Sequence, residues 1–164
     1  MKNEIEALSI ELVAALKEKK MKIATAESLT GGMVSEKITT VPGASEVLEC
    51  GVCSYSNRIK HEILGVSQET LRKYTEYSIQ TACEMADGIR RLSGADIGVS
   101  TTGIAGPSGA LEGKPVGFTC IGISTAERTC AKEFVFGTGT GNERELVRQL
   151  AVSTALELAL KEIK

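Results

Sequence analysis

The sequence predicts an α/β fold: a three-layer α/β/α sandwich around a mixed, mostly parallel sheet. Three observations point there. Segments of helical spacing alternate with short β-branched or small-residue runs, in the order α-β-α-β-α-α-β-β-β-α. The last two strand-like runs are joined only by Thr125-Ala126-Glu127-Arg128, a hairpin connection that adds antiparallel pairing to a parallel sheet. The 164 residues contain no internal repeat and no low-complexity linker, so one core and a single domain over 1–164 are expected.

Each element has its own signal. Glu4 to Lys20 places Ile5, Leu8, Leu12, Val13 and Leu16 at helical spacing. Lys22 to Thr25 is a short strand. Met33 to Thr39 reads as a helix, closed by Val41-Pro42-Gly43. Val47 to Ser54 is a second strand, followed by the polar stretch Tyr55-Ser56-Asn57-Arg58 and a short helix or turn over His61 to Leu64. Gln68 to Tyr74 and Ile79 to Ser93 are helical, the latter with Ile79, Cys83, Met85, Ala86, Ile89 and Leu92 on its apolar side. Asp96 to Thr101 is a strand that runs into Thr102-Gly103-Ile104-Ala105-Gly106-Pro107. Val116 to Ser124 and Thr129 to Phe136 form the hairpin, and Glu143 to Glu162 is a closing amphipathic helix.

Composition removes several function classes. Hydrophobic content is 42%, charged content 24% and net charge −2, which is ordinary for a globular domain and advertises no basic surface for nucleic acid. No apolar run approaches a membrane span, and the charged N-terminal segment lacks a signal-peptide core, so a cytoplasmic protein is expected. Five cysteines, an odd number, argue against a disulfide framework. Cys50-Gly51-Val52-Cys53 has the C-x-x-C spelling but lies in a strand, where residues three apart point to opposite faces. His61 is the sole histidine, which excludes a multi-histidine metal centre. No metal and no cofactor are expected.

The chemistry concentrates at three junctions of unusual polar or glycine content: Glu27 to Gly32, Tyr55 to Lys60, and Thr101 to Gly109. In sheets of this kind, sites form where strand ends meet loops, so the three are expected to converge on one pocket. Thr25-Ala26-Glu27-Ser28-Leu29-Thr30-Gly31-Gly32 puts a serine on a strand-to-helix turn. The N–H groups of Thr30, Gly31 and Gly32 would then lie at a helix N-terminus, where negative charge is favoured. A nucleophile beside such donors suits acyl transfer or phosphate handling. Taken alone, the octapeptide fits an ordinary N-cap with turn glycines better than a catalytic turn, because serine-turn-helix patterns are common. A Ser-His-Asp triad would have to use His61. The other base is a lysine with a lowered pKa, and Lys60 closes the second junction, although most lysines are simply solvated. The glycines at Gly103 and Gly106 fit neither a dinucleotide nor a triphosphate motif but allow close backbone approach to a ligand.

Together these segments resemble the CinA C-terminal-domain family, whose characterised activity is nicotinamide mononucleotide (NMN) amidohydrolase. The resemblance rests on Thr25-Ala26-Glu27-Ser28 with Thr30-Gly31-Gly32, Val41-Pro42-Gly43-Ala44-Ser45, Tyr55-Ser56-Asn57 with Lys60, and Leu64-Gly65-Val66 with Glu69-Thr70-Leu71. It continues through Thr102-Gly103-Ile104-Ala105-Gly106-Pro107, Lys114-Pro115-Val116-Gly117 and Arg144 before Val147-Arg148. It spans nearly the whole chain in order. It implies a metal-independent enzyme that converts NMN to nicotinate mononucleotide and ammonia in pyridine-nucleotide recycling. Ser28 is then the nucleophile, Lys60 its base and Tyr55 an active-site tyrosine. Glu27, Thr30, Gly31, Gly32, Asn57, Thr102, Gly103, Gly106 and Arg144 are expected to bind substrate, Arg144 as a phosphate ligand. The amphipathic terminal helices and the family's habit imply a homo-oligomer, a dimer or larger.

The chain departs from the family pattern at four places: Leu29 stands where cysteine is usual, and Ser108-Gly109-Ala110-Leu111 is poorer in glycine. Tyr74-Thr75-Glu76-Tyr77-Ser78 replaces His-Gly-Ala-Val-Ser, and the loop over 137–143 is longer. These loops leave a second reading open, a catalytically inactive nucleotide- or partner-binding module on the same fold.

Overall fold

The computed structural model describes residues 1–138 and 143–164. Its elements are α1 (Lys2–Lys19), β1 (Ile23–Glu27), α2 (Met33–Thr39), β2 (Leu48–Cys53), α3 (Asn57–Glu62), α4 (Gln68–Tyr74), α5 (Ile79–Ser93), β3 (Ile97–Gly103), β4 (Phe118–Ser124), β5 (Thr129–Val135) and α6 (Arg144–Ile163). Most of the loop expected over 137–143 lies outside the described residues. No helix is long and apolar enough to cross a membrane among the residues described.

The five strands form one mixed sheet in the order β2-β1-β3-β4-β5. β1 pairs in parallel with both β2 and β3, and β4 runs antiparallel to β3 and to β5. The side-chain period of two gives the sheet two unlike faces. One carries Ile23, Ile97, Val99, Ile121 and Ile123, which bury under α1, α2 and α6 together with Leu12, Leu16, Leu156 and Leu160. The other carries Ala24, Ala26, Gly98, Ser100 and Gly122, and against these small residues α5 lies close. A Cβ on Gly98 would stand 2.1 Å from the Ala86 carbonyl oxygen, and Ser100 Oγ donates to the Ala82 carbonyl at 2.6 Å. Helices therefore cover both faces, as the expected sandwich requires.

Serines start three helices. Ser56, Ser67 and Ser78 cap α3, α4 and α5, their side chains accepting from the N–H of Ile59, Thr70 and Thr81. The one displaced element is α3. The sequence suggests a short helix over His61 to Leu64, but the helix begins at Asn57 and ends at Glu62. The reason is physical: the only buried residue of α3 is Lys60, so no apolar period marks it. The C-x-x-C cysteines sit on edge strand β2 with opposite surroundings. Cys50 packs on the α5 side, while Cys53 lies next to Gly32 on the α2 side.

Candidate functional site

Ser28 follows β1 directly, and its N–H donates to the Thr101 carbonyl at the end of β3, at 2.9 Å. The turn then closes through Gly31 N–H onto the Ser28 carbonyl at 3.0 Å. Gly31 and Gly32 have φ of 62° and 98°, left-handed values that favour glycine. Arg148 of α6 ties the same turn from outside, donating from Nε to the Leu29 carbonyl and from Nη2 to the Thr30 carbonyl, both at 3.1 Å.

Of the N–H donors expected to face a ligand, those of Gly31 and Gly32 are spent inside the protein. Glu27 is 1% exposed, and its carboxylate accepts from the N–H groups of Gly32, Val34 and Ser35 at 3.0, 3.0 and 2.9 Å. Thr30 Oγ1 donates to the same carboxylate at 2.6 Å. An internal anion thus occupies the α2 N-terminus, where helix donors and dipole favour it. Glu27, Thr30, Gly31 and Gly32 build the turn from behind and do not line the pocket. Thr102 is likewise turned away, its hydroxyl donating to the Glu76 carbonyl at 2.7 Å.

Lys60 is the only inward residue of α3 and is 1% exposed. Its Nζ donates to the Ser54 carbonyl at 2.7 Å and lies 3.2 Å from Ser28 Oγ. Burial lowers its pKa from 10.5 to about 8, with the Glu76 carboxylate pulling the other way. Beside it, Ser54 Oγ is buried without a hydrogen-bond partner among the described residues. His61, the other conceivable base, is engaged elsewhere: its Nδ1 is 2.7 Å from the Val66 carbonyl oxygen.

Ser28 and Lys60 open into a cavity of about 140 Å³ that also takes in Tyr55, Asn57, Gly103, Gly106 and Arg144. The three polar junctions do meet there. Arg144, at the first turn of α6, crosses the mouth. It donates to the Gly106 carbonyl at 2.6 Å and to the Tyr55 hydroxyl at 3.1 Å. A larger groove of about 600 Å³ runs between α1, α2 and α6, near Ile5, Ile10, Met33 and Val41. It holds no nucleophile–base pair, so size alone does not mark the chemistry.

Two residues of the cavity wall were not anticipated: Glu76 and Tyr77, from the connection between α4 and α5. Thr75 before them has φ 68° and ψ 170°, a region close to glycine-only. Several contacts hold it there. Lys114 Nζ donates to Thr75 Oγ1 and to the Tyr74 carbonyl, both at 3.0 Å, while Ser78 and Thr81 hydroxyls donate to the Thr75 carbonyl at 3.0 and 2.8 Å. The Tyr77 hydroxyl is pushed above its ordinary pKa by burial, then by the neighbouring Glu76 carboxylate. The available signal was the departure of this segment from the resembled family; no periodicity marks it.

Comparison with known proteins agrees with this architecture along almost the whole chain. The sequence profile described as the CinA C-terminal domain matches residues 5–163. A competence-damage inducible protein of Thermoanaerobacter pseudethanolicus is 44% identical over 155 residues, which is 94% of this chain and 36% of that protein. One of Clostridium tetani is 45% identical over 146 residues, covering 89% of this chain and 35% of the relative. The chain therefore spans about a third of the length of these relatives. Among crystal structures, the competence/damage inducible protein CihA from Agrobacterium tumefaciens superposes with a TM-score of 0.90 at 35% identity, covering 96% of each chain. A superfamily protein from Escherichia coli gives 0.89 at 29% identity, over 98% of this chain and 92% of the other.

Proposed function

Because the chain belongs to the CinA C-terminal-domain family, we propose that it is an amidohydrolase acting on the carboxamide of nicotinamide mononucleotide. The observation that carries this reading is a desolvated amine 3.2 Å from a serine hydroxyl at the floor of a cavity. A binding module has no use for a buried lysine with a depressed pKa; a serine nucleophile does.

In the proposed reaction, neutral Lys60 Nζ takes the Ser28 proton while its own N–H remains held by the Ser54 carbonyl, which aims the lone pair. Ser28 Oγ bonds to the amide carbon, and the carbonyl electrons move onto oxygen. Two of the turn's N–H groups, Gly31 and Gly32, are already engaged. The Leu29 N–H, which follows the nucleophile and has no acceptor among the described residues, is assigned to the oxyanion. Lys60 returns the proton to nitrogen as the C–N bond breaks and ammonia leaves. Water, deprotonated by the same amine, then cleaves the acyl-enzyme and releases the nicotinate product with Ser28 restored. Arg144 suits the substrate phosphate, since its guanidinium sits at the mouth and presents a planar fork of donors. Tyr55 and Asn57 line the approach.

The test is ammonia release from NMN by the purified protein. The expectation is turnover that disappears in Ser28→Ala. Equal background rates for wild type and Ser28→Ala would end this reading.

A further inference from the structure

We propose that Glu76 and Tyr77 form a subsite for the positively charged aromatic ring of the substrate, so that the chain prefers a pyridinium to an uncharged ring of the same shape. The inference rests on the amidohydrolase reading for the identity of the ring, but its geometry stands on this wall of the cavity alone.

Both residues line the same cavity as Ser28 and Lys60, and the Glu76 carboxylate is close enough to act on the Lys60 amine. The segment that carries them is rigidly presented: Thr75 is pinned by Lys114, Ser78 and Thr81, and the Glu76 carbonyl accepts from Thr102. A backbone held in a sparsely populated conformation by several contacts is a common accompaniment of a functional wall. Besides Lys60 beside Ser28, the charged side chains of the cavity lie at two poles. Arg144 is at the mouth, where its guanidinium engages Gly106 and Tyr55. Glu76 is at the wall, half-buried, with no cation within ion-pair distance among the described residues. The Lys60 ammonium acts on this carboxylate only from beyond ion-pair contact, so a ligand that brings a cation into contact gains most from it. The adjoining phenol ring of Tyr77 adds an electron-rich surface that attracts cations in the same way. NMN has the matching polarity, a cationic ring bearing the carboxamide at one end and a phosphate at the other. A cavity of about 140 Å³ is on the scale of that ring, leaving the phosphate toward Arg144.

The experiment uses the Ser28→Ala protein, which removes turnover, and isothermal calorimetry with two probes: NMN and reduced NMN, whose dihydropyridine ring is uncharged. Reduced NMN is expected to bind at least tenfold more weakly. Adding Glu76→Gln should weaken NMN about tenfold and reduced NMN less than twofold; Tyr77→Leu should act in the same direction, about three- to tenfold. Glu76→Gln keeps the side-chain shape at a half-buried position, and unchanged circular dichroism confirms the fold. Equal weakening of both probes, or of neither, overturns the subsite, as would an NMN preference that survives both substitutions. Failure of the amidohydrolase reading shows separately, as absence of ammonia release by the wild-type protein.

Discussion

Replacing Lys60 by methionine should abolish turnover and, at neutral pH, make the protein more stable. The magnitude follows from burial. Lys60 is 1% exposed, and its pKa falls from 10.5 to about 8 in the fold. A lysine whose folded pKa is depressed binds fewer protons when folded than when unfolded, so stability rises with pH between the two values and the penalty is complete below the lower one. At pH 7 the linkage cost is about 3 kcal/mol, and at pH 10 it is about 1 kcal/mol, at about 1.4 kcal/mol per pKa unit. Methionine fills similar space without charge. It also removes the donor to the Ser54 carbonyl, a loss of about 1–2 kcal/mol that does not depend on pH. The variant should therefore be more stable by about 1–2 kcal/mol at pH 7 and close to wild type at pH 10. Urea denaturation of both proteins at the two pH values measures this. Other groups that titrate in alkali are common to both and cancel in the difference. A stability difference that is the same at pH 7 and pH 10 would refute the argument that a desolvated amine is held in the site.

Further outcomes follow from the same structure. The rate on NMN at low substrate should rise with pH through an apparent pKa of about 8, because the base must be neutral, and Glu76→Gln should move that limb to lower pH by removing the carboxylate that favours the ammonium. Glu27→Ala should lower stability by about 3 kcal/mol or more in urea denaturation, since it strands the N–H groups of Gly32, Val34 and Ser35 at the start of α2. Ser54→Ala should be neutral or stabilising, by up to about 1–2 kcal/mol, because its buried hydroxyl has no partner to lose. Gly88→Ala should cost about 2–3 kcal/mol or prevent folding, as its Cβ would stand 1.9 Å from the Leu64 carbonyl oxygen and only backbone movement relieves that.

Much of the architecture was legible before any coordinate. Periodicity placed α2, α4 and α5 at their observed limits because each buries an apolar stripe or follows a serine cap. Periodicity failed at α3, where the single inward side chain is a charged one. The site divided in the same way. The polar junctions together with the family resemblance singled out Ser28, Lys60, Tyr55, Asn57, Gly103, Gly106 and Arg144, all of which reach the cavity. They also singled out Glu27, Thr30, Gly31, Gly32 and Thr102, whose polar groups close hydrogen bonds within the protein instead. A short sequence pattern registers that a carboxylate and a set of N–H donors are close in the chain, without registering that they satisfy each other.

By itself, then, the sequence determined the order of helices and strands and the serine on a glycine turn, since these depend on local propensity and short periods. Tertiary structure alone decided that Lys60 is desolvated against Ser28, that Glu27 is spent on α2, and that Glu76, Tyr77 and Arg144 close the cavity from distant segments. Burial and hydrogen-bond pairing are properties of neighbours in space, and those neighbours are brought together only when the sheet and its covering helices have formed.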